Sequence, residues 1–338
     1  MTRRFFRWLG LAVAAVALWP PGLAVAAGQA PGVQAGAGRV PGGVPRTPWG
    51  DPDLQGTWTS ESEYGVPLER PAEFGTRPFL TDEEYAARLA QVRQRDAEYL
   101  KEVDVFNARG VGAPVPHWRE ENTTSRRTSL VVDPPDGRIP PETPQGRLRA
   151  SQVPRGSSLA GDGVFDSVED FSLHQRCLVQ GGGFPATMFP AVYNANVHIV
   201  QTPGYVAIVY ELIHDTRVIP LDNRPPLSPA IGLWLGDARG RWDGDTLVVE
   251  TANFTDKTNY RGSGRTLRPI ERFTRTDRDT VAYEVTAVDP ATWTASWTTA
   301  LGLKARSSFG LFEYACHEGN RGIYYILSTT RGAEEAKK

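Results

Sequence analysis

Cysteine is nearly absent from this 338-residue chain, since Cys177 and Cys316 are the only two. No C-x-x-C, H-x-H or H-E-x-x-H spacing occurs, so the chain carries no recognisable metal-ligand pattern. An excess of either charge is also missing: 37 Lys and Arg stand against 39 Asp and Glu. That removes the electrostatic case for binding nucleic acid. Beyond the N-terminal segment, no apolar run approaches the ~20 residues that cross a bilayer as a helix. G-x-S-x-G is absent, and Gly262-Ser263-Gly264 lacks the strand-to-helix context of a serine nucleophile. Gly181-Gly182-Gly183 leads into Phe184-Pro185 rather than a helix, which argues against a phosphate cradle. Any chemistry is therefore expected to be cofactor-independent.

What is present begins with an export signal. Arg3, Arg4 and Arg7 precede a short apolar core from Trp8 to Trp19, and Ala24-Val25-Ala26 offers small residues for cleavage. Residues 1–26 read as a signal peptide. Thr2-Arg3-Arg4-Phe5-Phe6 resembles a twin-arginine signal, and an ordinary secretory signal with adjacent arginines is the alternative. An exported, periplasmic or secreted protein is expected. In an oxidising compartment two cysteines most simply form one disulfide, closing a loop of about 140 residues, with two buried free thiols as the rival. Residues 27–48 are Gly-, Ala- and Pro-rich and read as a flexible linker.

TDEEYAARLAQVRQRDAEYLKEV at 81–103 predicts a helix, with Thr81 as cap, acids in the first turn and an apolar stripe. Residues 49–165 otherwise read as extended and Pro-rich, packing on the body, with one strand-like run at 128–132. Gly56-Thr57-Trp58 opens a first strand, either as the tryptophan floor of a loosely lipocalin-like barrel or as an ordinary edge. Residues 166–332 form the β-rich body. Runs such as NVHIVQ, YVAIVYELIHDTRVIPL, TLVVETANF and TVAYEVTAV alternate with turn signals, of which Asp243-Gly244-Asp245 is the clearest. LFEYACHEGN and IYYILS complete the expected set of strands. The predicted fold class is mainly β: an antiparallel barrel-like or strongly curved sheet with one N-terminal helix and long Pro-rich loops.

Four longer stretches form a pattern together. They are RTSLVVDPPDGRIPPETP at 127–144, the run from YNANVHIVQ to IPLDNRP at 193–225, IGLWLGDARGRWDGDTLVVETANF onward from 231, and FEYACHEGNRG from 312. With these motifs the chain resembles a family of exported bacterial proteins to which no activity is attached. The resemblance covers most of residues 49–330 and implies one mature unit, but no reaction.

YELIHDTRVIPL concentrates charge where a strand is expected. Read as one strand, it puts Glu211, Asp215 and Arg217 on one face and His214 on the other. Two readings stay open: a structural ladder of ion pairs at a strand end, or a cavity mouth where a carboxylate moves protons. His214 then needs a partner from elsewhere, and ACHEGN supplies His317 and Glu318 on a loop pinned by Cys316. His117, His174 and His198 are scattered and read as local hydrogen-bonding residues. Tyr210, Trp234, Trp242 and Tyr260 are candidates to line a cavity for a flat or apolar ligand, with Asn320 as a polar contact. The leading expectation is an acid–base enzyme of isomerase, lyase or cyclase type acting on a small organic molecule. In it Glu211 or His214 is the base, His317 the acid, Arg217 a charge stabiliser and Asp215 an orienting group. The alternatives are a carrier of an apolar or aromatic ligand and an envelope interaction module.

Overall fold

Period-two alternation decides where the strands lie. In Thr280–Val288 every second side chain, Val281, Tyr283, Val285 and Ala287, is buried, and Arg268–Asp277 buries Pro269, Glu271 and Phe273 in the same way. A computed structural model describes residues 43–108, 124–152, 165–180, 184, 188–191, 193–258, 260–306 and 310–335. The expected signal peptide, linker residues 27–42, His117 and the Gly181–Gly183 triplet lie outside the described residues.

Ten antiparallel strands make a nearly closed barrel. They are β1 (Gly56–Thr59), β2 (Val131–Asp133), β3 (Asn196–Thr202), β4 (Tyr205–Tyr210), β5 (Thr216–Pro220), β6 (Asp237–Asp243), β7 (Thr246–Ala252), β8 (Arg268–Asp277), β9 (Thr280–Val288) and β10 (Trp297–Ala305). Their hydrogen-bonded order is β5-β4-β3-β1-β10-β9-β8-β7-β6, with β2 beside β10. β1 thus sits between β3 and β10 rather than at an edge. Trp58 is buried, donates Nε1–H to the Leu54 carbonyl at 2.8 Å, and carries the Arg275 guanidinium 5.2 Å from its ring centroid.

The path ends at β5 and β6, which face each other across a seam. Close packing holds the seam: a Cβ on Gly240 would meet Leu221 Cδ2 at 2.6 Å and Ile219 Cγ2 at 2.8 Å. Only a residue without a side chain permits this approach.

Three helices lie among the described residues: α1 (Asp82–Ala108), α2 (Pro144–Ser151) and α3 (Gly322–Glu335). A reciprocal pair of hydrogen bonds between Thr81 and Glu84 starts α1. Two expected strands are corrected. LFEYACHEGN has no regular structure, and IYYILS lies in α3. The apolar run of IYYILS suits either period, and it lacks a strand neighbour, so the helix prevails. No described helix is long and apolar enough to cross a membrane.

Candidate functional site

The charged stretch is a hairpin, not a single strand. β4 ends at Tyr210, a short helical turn spans Leu212–His214, and β5 begins at Thr216. Tyr210 N–H donates to the Asp215 carbonyl at 2.8 Å, closing the reversal. Ile213 and His214 sit in the left-handed region, with φ of 62° and 50°. That region is costly for a β-branched residue such as Ile213, and only the surrounding packing holds it there. The reversal breaks the period-two count, so Glu211, Asp215 and Arg217 do not share a strand face.

Arg217 enters the barrel interior. Its Nη1 donates to Glu271 Oε1 at 2.9 Å and to the Tyr210 hydroxyl at 3.1 Å. Its Nη2 donates to Glu271 Oε2 at 2.5 Å and to Thr251 Oγ1 at 3.0 Å. Tyr283 donates its hydroxyl to Glu271 Oε1 at 2.9 Å. Glu271 is wholly buried, and sequence reasoning missed it because its partner comes from a strand 54 positions away. Burial pulls the Arg217 pKa down, but the Glu271 charge more than reverses this and holds it well above the ordinary value. Burial first, and the Glu271 charge second, push the Tyr283 hydroxyl well up. The fork–fork pair joins β5 to β8, with partners on β4, β7 and β9, and ties the seam that lacks a ladder. Both Nη groups of Arg217 are thereby occupied.

Glu211 is buried and faces a different neighbour. Asn196 Nδ2 donates to its Oε2 at 2.6 Å, and the Phe312 backbone N–H donates to its Oε1 at 3.0 Å. His214 is exposed, with Nδ1 at 3.1 Å from the Tyr314 carbonyl. The Cys177–Cys316 disulfide, with Cα atoms 5.8 Å apart, anchors the same strap. Asn320 donates Nδ2–H to the Cys316 carbonyl at 3.1 Å. The fold therefore brings the β4–β5 turn, residues 312–316 and Cys177 together, while His317 and Glu318 lie exposed on the turn that follows. Asp215 is half-buried, and its Oδ2 has no hydrogen-bond partner among the described residues. Burial pushes its carboxyl up to about 6, partly offset by a Gln180 backbone N–H and the nearby His214.

A groove of about 460 Å³ opens elsewhere, where the outer face of β6, β7 and β8 meets the chain after β5. Pro220, Asn223, Arg224 and Pro226 form one wall. Arg239 and Arg241 stand on β6, Glu250 and Ala252 on β7, and Arg268 and Ile270 on β8. None of the expected catalytic or ligand-lining residues belongs to it. Tyr210 serves the interior pair. Tyr260 is stacked on Phe184 at 4.4 Å between centroids, and Trp242 packs on the core. Trp234 is half-buried, its carbonyl accepting from Thr258 Oγ1 at 3.1 Å. The arginines of the groove stand in the sequence as Asn223-Arg224-Pro225-Pro226 and Arg239-Gly240-Arg241-Trp242, but only the tertiary structure puts them on one surface.

Comparison with protein-family models, curated proteins and solved structures finds no match to this chain.

Proposed function

We propose that this chain is an exported small-molecule-binding barrel protein whose ligand sits in the groove beside the β5–β6 seam. The observation that carries the reading is the groove itself. At about 460 Å³ it falls within the range of small-ligand sites, and it mixes apolar wall with a few placed polar groups. Export is supported by the N-terminal sequence, and the disulfide suits an oxidising compartment. The barrel interior offers less. It is occupied by the packed side chains of Trp58, Tyr210, Phe273, Tyr283 and Trp297 and by the buried Arg217–Glu271 pair.

Thermal-shift screening of the purified chain against apolar, aromatic and ionic organic compounds tests this. Stabilising compounds are expected, and Ala252→Trp, which fills the groove, should abolish their effect. Ligands that stabilise the Ala252→Trp variant equally would place binding elsewhere and end this reading.

A second reading, acid–base catalysis at the β4–β5 turn, is favoured by Asp215. A carboxyl raised to about 6, beside a histidine and on a left-handed turn, is suited to holding and releasing a proton near neutrality. In that reading Asp215 carries the proton and His214 is its partner. His317 and Glu318 meet substrate from the strap, and Glu211 positions the strap through Phe312. A turnover assay on any ligand found by the screen separates the two readings: Asp215→Asn should leave binding intact and stop turnover. Absence of turnover in the parent chain leaves the carrier.

A further inference from the structure

We infer that the groove selects a small amphipathic carboxylate, with the acid group held by Arg268 and Arg241 and the apolar body lying along Ile270, Val248 and the prolines. This rests on the binding reading above and adds the chemistry of the ligand.

The argument starts from what each arginine already does. Arg224 is held by the Asp222 carboxylate and by the Tyr205 hydroxyl at 2.5 Å. Arg239 pairs with Asp237 and donates Nη2–H to the Pro225 carbonyl at 3.2 Å. Asp237 also accepts the Leu227 backbone N–H at 2.8 Å, so this carboxylate is engaged from two sides. These contacts build the wall. Arg268 differs, since among the described residues it donates only to the Arg265 and Leu267 carbonyls, both at 2.9 Å. Arg241 has only a loose contact to Glu250, at 3.5 Å.

Four arginines thus line a groove whose two carboxylates are Asp237, already engaged, and Glu250, weakly held. Positive charge with spare donors is left over. Guanidinium donors suit planar oxyanions. Strand pairing supplies the spacing. Arg241 lies opposite Val248, Arg239 opposite Glu250, and Glu250 opposite Ile270, so the outer sheet sets charged side chains beside apolar ones. The remaining lining, Pro220, Pro226, Pro269 and Val288, is apolar. A fully hydrated inorganic ion would leave this surface unused.

Isothermal titration calorimetry on the full purified chain tests the assignment with hexanoate, hexan-1-ol and inorganic phosphate as probes. Hexanoate is expected to bind more tightly than either comparator. Arg268→Gln and Arg241→Gln should each weaken it about tenfold, the loss of one charge-assisted contact. Arg272→Gln, an outward residue on β8 that does not line the groove, should leave it unchanged. Phosphate binding as tight as hexanoate would reduce the site to a simple anion site and overturn the proposal. Equal binding of hexan-1-ol and hexanoate, blocked by Ala252→Trp, would overturn the carboxylate assignment while sparing the binding reading. No binding of any probe, together with an empty compound screen, would remove both.

Discussion

Arginine plays opposite parts in two regions of this barrel. Inside, Arg217 donates four hydrogen bonds, its Nη groups locked to Glu271, Tyr210 and Thr251. On the outer face, Arg268 donates, among the described residues, only to backbone carbonyls of its own segment. Removal from water makes the difference. A buried guanidinium must find a carboxylate or lose the fold, so its donors are spent on structure. An exposed one keeps water as a partner and can exchange it for a ligand. Charge on a strand therefore marks structure or recognition according to the face on which it lands.

The sharpest way to break this contrast is to remove one interior partner. Glu271→Ala should destabilise the chain by about 3–5 kcal/mol, because it strands a buried guanidinium. Denaturant unfolding measures this, and the double variant Arg217→Met/Glu271→Leu should recover much of the loss. A small effect of Glu271→Ala would mean that the seam is held by packing alone. Reducing the disulfide, or Cys177→Ala/Cys316→Ala, should cost about 3 kcal/mol through the unfolded chain. The β4–β5 turn should lose protection against hydrogen exchange at the same time, since the strap carries its Phe312 and Tyr314 contacts.

Asp215 should behave in the reverse sense. Its folded pKa of about 6 lies above the ordinary 3.8, so folding favours the protonated form. That contribution is complete below about pH 4 and is lost as pH rises through about 6. Asp215→Asn should therefore flatten the fall in stability across this window. At neutral pH it should stabilise the chain by about 1 kcal/mol, after allowance for solvent screening of a half-exposed group. A variant less stable than the parent at pH 7 would show that the carboxylate makes a favourable contact. The smallest effect belongs to the outer face: Arg268→Gln should change stability by no more than about 0.5 kcal/mol. A larger loss would class it with Arg217 as structural.

Several elements were legible before any fold was known. Asp243-Gly244-Asp245 marks the β6–β7 turn, with Gly244 at φ 60°, because an αL position next to alternating strands leaves little choice. The two cysteines pair, the simplest outcome for a chain that has only these two. The stretch from Tyr205 to Leu221 was less legible. Its apolar alternation continues through residues 210–214, and nothing local announces that Ile213 and His214 turn left-handed. Only packing makes that cost acceptable, so the parity of Glu211, Asp215 and Arg217 was beyond reach.

By itself the sequence determined the β-rich class, the turn at Gly244, the capped start of α1 and the covalent link between residues 177 and 316. These follow from short-range sterics, period and cysteine chemistry, which act within a few residues or depend on composition. Tertiary structure alone decided that Arg217 meets Glu271, that Glu211 accepts the Phe312 N–H, and that Arg241 and Arg268 flank one groove. Each of these joins segments far apart in sequence, and register across the nearly closed sheet and the docking of the strap, not local preference, determine which side chains meet.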